Sequence, residues 1–506
     1  MSLKCQNCGA ENVDHAKYCC ECGNEIGFYC RKCGEHNRNG KYCISCGTKN
    51  ELVNWDEAST NPDDYSWENV YEDESGTYTS DRLVFLKGNY DTERIEIKPG
   101  TRIICDNVLA DYQIDEDDYK EAIVEELIIP NSVIQIGDNA FQDCHYLQSI
   151  AIPDYVSQIG EKAFQDCYSL QSIVIPNSVT QIENSAFDGC SSLRSIVIPD
   201  SVTHIGESAF SGCHSLQSIV TPNSVTLIGN GVFSRCISLQ SIVIPNSVTQ
   251  IGKGAFFLCS SLQSIVIPIS VMKIGWGAFL GCSDLQSIVI PDSVTQIGEY
   301  AFYGCGDLQS IVIPDSVTQI GEYAFYGCGN LQSIVVSEGN TIYDSRNNCN
   351  AIIETESNTL VAGCYQTVIP NSVTQIGQYA FEGCSSLQSI VIPDSVTHIG
   401  EKAFCECSSL QSIVIPDSVT EIGSKAFTCC SELQSIVIPD SVTQIGEGAF
   451  VGCHSLQSIV IPSSVTQIGE SAFYDCGNLQ SIVIPQGSKE KYSKLLPEYR
   501  HLLNEE

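Results

Sequence analysis

Apolar side chains return along this chain in a fixed order every 23 residues. One unit reads LQSIVIPDSVTQIGEYAFYGCGD, from Leu285 to Asp307. In its L-x-x-I-x-I segment, strand alternation puts Ile288 and Ile290 on one side and Val289 on the other. Val and Ile favour extended backbone. Pro291 then closes the strand's bonding edge, and the Asp-Ser pair begins a turn. A second extended piece, V-T-Q-I, buries Val294 and Ile297. Gly298 permits a bend, and E-Y-A-F-Y-G-C is predicted to be a short helical turn that buries Ala301, Phe302 and Cys305.

The phenylalanine of this unit recurs at Phe141, Phe164, Phe187, Phe210, Phe233, Phe256, Phe279, Phe302 and Phe325, and again at Phe381, Phe404, Phe427, Phe450 and Phe473, giving 14 units. Every step is 23 residues except Phe325 to Phe381, which is one period plus 33. A fixed period of this size is the mark of a solenoid, whose units bury their apolar faces only against neighbours.

The unit resembles the BspA-type leucine-rich repeat, whose pattern is LxxIxIPxSVxxIGxxAFxxC. The resemblance covers residues 129–485 and implies a β-rich solenoid of 23-residue units with short helical turns. The expected organisation is a first repeat block over 129–336, a hairpin-like insertion over 337–369 with AIIE and LVAG as strands, and a second block over 370–485. The stretch IKPGTRIICDNVL aligns with the repeat and places Ile104, Val108 and Leu109 on core positions, so residues 82–128 are expected as a degenerate N-terminal cap. Residues 486–506 resemble the family's closing helix, with Ser488 as its N-cap and Pro497 as a kink or break.

Charge changes the picture on the outside. The chain has 506 residues, 25 Lys+Arg and 61 Asp+Glu, a formal charge of −36. Such a surface repels phosphate backbones and anionic membranes. The excess is dense over residues 51–128, which carry 6 basic and 22 acidic residues, and the acidic linker expected over residues 51–81 has a composition that suggests flexibility. The opening MSLKCQNCGAEN lacks an apolar leader segment, and no run is long enough for a membrane helix. The expected location is therefore cytoplasmic, with the cell surface or exterior as the alternative.

The 28 cysteines fall into two populations. Within residues 1–50, Cys5/Cys8, Cys19/Cys22, Cys30/Cys33 and Cys43/Cys46 form four C-x-x-C pairs, each followed by glycine. Two thiolates three apart on a tight turn can reach one metal, and two such turns supply a tetrahedral site suited to zinc. So short a module draws its folding free energy from the metal. A disulfide framework and a four-thiolate iron site are the competing readings. The motifs resemble the tandem zinc ribbons at the N-termini of many bacterial proteins, which implies two Zn²⁺ ions on these eight cysteines.

The second population is a ladder: Cys144, Cys167, Cys190, Cys213, Cys236, Cys259, Cys282, Cys305, Cys328, Cys384, Cys407, Cys430, Cys453 and Cys476 share one position in the 14 units. Equivalent atoms of stacked coils lie about 4.8 Å apart and point the same way, which is poor geometry for bridging. The ladder reads as packing by small hydrophobes, and a column of close thiols fits a reducing compartment.

No catalytic constellation stands out, since the eight histidines scatter and the serines are copied with the repeat. The expected function is a non-enzymatic scaffold for protein partners. Its candidate binding residues are the outward valine row, Val174, Val197, Val220, Val243, Val266, Val289 and Val312, together with Trp276, where the copies depart from one another. A BspA-like adhesin is the alternative. Nucleic-acid binding through basic residues of the ribbons is a weaker one, which the acidic surface disfavours.

Overall fold

The computed structural model describes residues 59–65, 70–80, 83–110 and 122–506, and describes the short strands Leu3–Lys4, Glu11–Asn12, Phe28–Tyr29, His36–Asn37, Tyr112–Asp115 and Asp118–Lys120 by backbone alone. The chain divides into two compact units, residues 1–209 and 210–506.

In the first unit, the end of the expected acidic linker is structured. Tyr71–Glu72 and Gly76–Tyr78 pair antiparallel, and the second of these pairs with Val84–Gly88. Tyr78 is fully buried, with its ring tilted against that of Phe85 at 4.8 Å between centroids. Its apolar ring explains why this acidic segment folds back: burying an aromatic outweighs the loss of hydration of a few flanking polar groups. Val84–Gly88 then runs parallel to Ile103–Ile104 and starts the column Gln135–Ile136, Gln158–Ile159, Gln181–Ile182, His204–Ile205. Ile104, Val108 and Leu109 are fully buried, as their alignment with the repeat requires.

The second unit carries the remaining coils. Each coil contributes two short strands, for example Ser287–Val289 and Gln296–Ile297, and each strand pairs in parallel with its equivalent one period away. Leu285, Ile288, Ile290, Val294, Ile297, Ala301, Phe302 and Cys305 of one coil are all buried. The phenylalanines stack ring on ring, 5.3–5.9 Å between centroids from Phe210 to Phe325. None of these coils could bury this set alone, because each aromatic ring is covered by the rings above and below it.

The expected helical turn is absent. In its place two residues per coil adopt left-handed backbone, two before and two after the phenylalanine: Tyr300 (φ 56°) and Gly304 (φ 70°) flank Phe302. Both positions are left-handed in all 14 units, yet ten residues at the first and seven at the second are not glycine. Left-handed residues at this spacing break an α-helix. They turn the amides of Tyr300, Phe302 and Gly304 away from their own coil, so that these donate to Glu322, Ala324 and Tyr326 carbonyls of the next coil at 3.0, 2.8 and 2.7 Å. The third side of the coil is thereby bonded between coils much as a sheet is.

Gly298 needs its glycine for closeness. A Cβ there would meet the Gly275 carbonyl carbon at 2.6 Å and the Trp276 nitrogen at 2.7 Å. The same contact, glycine over glycine, recurs at Gly252, Gly275, Gly423 and others.

The insertion forms an antiparallel hairpin, Ala351–Glu354 with Thr359–Gly363, and its second strand runs parallel to Gln375–Ile376. Ala351, Ile353 and Leu360 join the core of the second block. The C-terminus is a helix that stops just before Pro497, followed by a 3-10 segment and a strand that was not expected. Lys489–Leu495 is helical, Pro497–Leu502 is a 3-10 segment, and Leu503–Glu505 pairs parallel with Ser481–Ile484. Pro497 has no amide to donate and ends the helix. The final strand then covers the open sheet edge, and Tyr492 covers the core with its hydroxyl donating to Pro462 at 2.8 Å. Ser488 makes no side-chain cap; its hydroxyl donates to the Pro485 carbonyl.

Candidate interaction surface

The eight zinc-ligand candidates, Cys5, Cys8, Cys19, Cys22, Cys30, Cys33, Cys43 and Cys46, lie outside the described residues. Among the described residues no group of three or more His, Cys, Asp or Glu is placed to hold a metal.

The valine row stands outward on the first extended segment of the repeat. Val174 and Val197 are exposed in the first unit; Val220, Val243, Val266, Val289 and Val312 are exposed in the second. Val266 is 77% and Val289 73% exposed, while Ile265 and Ile288 beside them are buried. The register pairs Val220 with Val243, Val266 with Val289 and Val312 with Val335.

The coil of Phe279 carries more exposed apolar surface than a copied unit should. Ile269 is 80%, Met272 56% and Trp276 43% exposed, where the coil of Phe302 has Asp292, Thr295 and Glu299. From Trp276 an aromatic strip runs along the side of the left-handed turns. Its ring centroids lie 5.5 Å from Trp276 to Tyr300, 4.8 Å from Tyr300 to Tyr323, and 3.9 Å from Tyr323 to Tyr379. A parallel pair, Tyr303 and Tyr326, stacks at 4.3 Å. The backbone builds this strip: Tyr300, Tyr323 and Tyr379 all hold left-handed conformations at the same position of their coils. Lys402 takes that position in the following coil, with its ammonium 5.9 Å from the Tyr323 ring and 5.7 Å from the Tyr379 ring.

The strip crosses a joint. Tyr323, Phe325 and Gly327 do not make the bonds to the next coil that Tyr300, Phe302 and Gly304 make. On the far side, the Ala380 carbonyl instead accepts from Gly363 of the insertion at 2.8 Å, and the Cys384 thiol donates to Gly363 rather than to a phenylalanine carbonyl. Phe325 is left half-buried, while Phe302 and Phe381 on either side are fully buried. A cavity of about 170 Å³ opens there, lined by Tyr323, Phe325, Tyr326, Ala362, Tyr379 and Glu382 among others.

Glu382 is the unusual member. Its side chain is 3% exposed, and its Oε1 sits 3.5 Å from the Lys402 ammonium. Its Oε2 is buried with no hydrogen-bond partner. Burial pushes the Glu382 carboxyl above the usual range against the pull of Lys402. Burial acts against the Lys402 cation too, but Glu382 and its other neighbours outweigh it and hold the ammonium above its ordinary value. Beside them the Tyr326 hydroxyl donates to Glu406 at 2.6 Å, and burial with that bond raises the phenol strongly.

A second, more open cavity of about 470 Å³ lies at the same joint. It is lined by Gln286, Gln309, Gln332, Gln388, Asp307 and Tyr365 among others.

The thiol ladder is explained by geometry. Each of eleven ladder thiols donates to the carbonyl of the phenylalanine 26 residues earlier at 3.0–3.3 Å, as Cys282 does to Phe256. A thiol is small enough for the column and still satisfies a buried carbonyl. Burial pushes the thiols up, to about 11 at Cys476 and about 12 at Cys328. They are shielded from oxidants by packing, so the ladder carries no information about a reducing compartment, and that ground for a cytoplasmic location falls away. Among the described residues no helix is long and apolar enough to cross a membrane.

Trp276 and Tyr300 stand out in the sequence as departures from the copied text. Tyr323, Tyr326, Tyr379, Glu382 and Lys402 did not, though the 33-residue break between Phe325 and Phe381 marks their place.

A family model described as the BspA type leucine rich repeat region matches residues 112–240, 226–353 and 363–480. Among solved structures, a leucine-rich repeat protein from Bacteroides ovatus shares 28% identity at a TM-score of 0.51, over 88% of this chain and all of that one. A leucine rich cell surface protein from Faecalibacterium prausnitzii shares 31% identity at a TM-score of 0.46, over 84% of this chain and 97% of that one. No curated protein matches the chain.

Proposed function

The chain belongs to the BspA-type leucine-rich repeat family, and from that premise we propose that it is a non-enzymatic binding protein that holds a protein partner along the exposed valine face of its repeats. The observation that carries this reading is the valine row itself. A strand position facing water favours β-branching, which threonine supplies with a hydroxyl in place of one of valine's two methyls. This chain exposes valine there in coil after coil, Val220, Val243, Val266, Val289 and Val312 among them. An aligned apolar row beside polar glutamines has the make-up of a recognition face with a polar rim.

The test is a triple variant, V266K/V289K/V312K, used beside the unmodified chain to capture proteins from the medium and envelope of the native cells. Partners captured by the unmodified chain and lost by the variant, at equal thermal stability of the two, support the reading. An unchanged set of partners contradicts it.

An adhesin-like role on or outside the cell is the form of this function we favour, because buried thiols tolerate an oxidising setting. Cell fractionation tests it, and recovery confined to the cytosol contradicts it. We further propose that Cys5, Cys8, Cys19, Cys22, Cys30, Cys33, Cys43 and Cys46 bind two zinc ions. Metal analysis of the purified chain should give two zinc per chain, and one or none after replacing Cys5 and Cys8 with serine together. Zinc content that the double replacement leaves unchanged contradicts the assignment.

A further inference from the structure

We propose that the cavity at the joint between the two repeat blocks is a binding site for an alkylammonium group, with Glu382 as its counter-ion and the Tyr323 and Tyr326 rings as walls. The site does not involve the valine face and stands or falls apart from it.

Three observations converge on a cation. The first is the Glu382 carboxylate, 3% exposed in side chain, with Lys402 beside one oxygen, the Cys405 thiol as a weak donor to the carboxyl, and no geometric hydrogen-bond partner on Oε2. A buried carboxylate oxygen left unpaired is costly, and a donor supplied from outside would remove that cost. The second is the wall. Tyr323 and Tyr326 line the same cavity as Glu382, and aromatic faces attract ammonium groups through their quadrupoles. The third is Lys402. This ammonium already lies within 6 Å of two of the strip's rings and beside the Glu382 carboxylate. The chain therefore shows on one side of the carboxylate the contact that a ligand would make on the other.

The size and charge of the place agree. About 170 Å³ holds the end of a basic side chain or a small amine, and not a larger cofactor. Glu322 lines the cavity, Glu406 accepts from Tyr326 at its rim, and the chain carries a formal charge of −36. An anion is disfavoured on every side except that of Lys402. A neutral alcohol of the same length could donate one hydrogen bond to Glu382 but would lack the charge that the rings attract.

The ammonium could belong to a free amine or to a lysine of a partner protein, and two probes separate these sources. n-Butylammonium represents the first. A lysine tripeptide with both ends blocked represents the second. Binding of each to the full chain is followed by saturation-transfer NMR, with n-butanol as the neutral control. The expected result is saturable binding with a dissociation constant on the order of 1 mM for a ligand this small, and none for n-butanol. Glu382→Gln keeps the side chain's shape and should weaken both probes at least tenfold. Lys402→Gln removes the internal competitor and should tighten them severalfold. Tighter binding of the tripeptide assigns the site to a protein lysine, and tighter binding of the amine assigns it to a small molecule; either upholds the cage. The proposal is overturned if neither the unmodified chain nor Lys402→Gln binds a probe saturably. It is equally overturned if Glu382→Gln, folded by thermal unfolding, binds as well as the unmodified chain.

Discussion

Tyr323 and Tyr379 meet with ring centroids 3.9 Å apart and ring planes tilted by 33°, although 56 residues of chain separate them. Their neighbours in the same column are one 23-residue period apart, as Tyr300 is from Tyr323. The extra 33 residues therefore leave the solenoid and return to it in register. The insertion's hairpin replaces one coil's share of backbone bonding, and the replacement is incomplete on the side of the turns, where Phe325 and Glu382 meet a cavity. A regular repeat has no reason to form a pocket; the interruption supplies one.

Glycine at position 298 is held by the closeness of two backbones, so Gly298→Ala should destabilise the chain by roughly 1–3 kcal/mol, the usual cost of overpacking. A Cβ at Gly306 would have its nearest neighbour at 4.0 Å, the Ser283 carbonyl oxygen. Gly306→Ala should therefore be close to neutral. Urea unfolding of the two variants checks the contrast, and equal effects would remove the explanation.

Ser471 holds φ at 55° on an exposed turn. Ser471→Gly should stabilise the chain by up to about 1 kcal/mol, because glycine takes left-handed backbone without steric cost. Ser471→Val should destabilise it, since a β-branched side chain tolerates that conformation worst. Urea midpoints at unchanged slope would show both signs.

Alkali should unfold this protein. Ten ladder thiols are pushed up by burial, among them Cys167, Cys282, Cys305 and Cys407. A group raised in the folded state contributes its stability below the unfolded value and loses it as pH rises. Stability should be flat up to about pH 8 and should fall above pH 9 by about 1.4 kcal/mol per pH unit for each thiol still protonated in the fold. Thermal unfolding across that range checks the slope. Replacing Cys282 and Cys305 with alanine should lower the slope by two thiols' worth, at some cost in stability at neutral pH. A midpoint that does not move between pH 7 and 10 would contradict the role of the ladder.

Much of this was legible in the residues. The alternation around Val289 gives its exposure, because strand geometry leaves one side for each residue. The 23-residue period implies the shared core, because no single coil can cover Phe302. The chain's turns were harder to read. E-Y-A-F-Y-G-C has helical spacing of apolar residues, but Tyr300 and Gly304 are left-handed, and a left-handed tyrosine leaves no mark in sequence. The closing helix stops before Pro497 for a readable reason, while the strand Leu503–Glu505 depends on an open sheet edge that only the folded chain presents. The joint was visible as a gap in spacing. That Glu382 would be buried there, with one oxygen unpaired, follows from how the hairpin docks, and no local pattern encodes it.

Hydrogen exchange of the full chain most directly reads the bonding on the side of the left-handed turns, where among the second unit's described coils the bonds from one coil to the next lapse at the joint. The Phe279 and Phe302 amides, which donate to Ala301 and Ala324 at 2.8 Å, should be strongly protected, and Phe325 should exchange at least a hundredfold faster, about 2.7 kcal/mol less in opening free energy. Protection of Phe325 equal to that of Phe302 would contradict this bonding pattern, as would rapid exchange at Phe279 and Phe302 themselves.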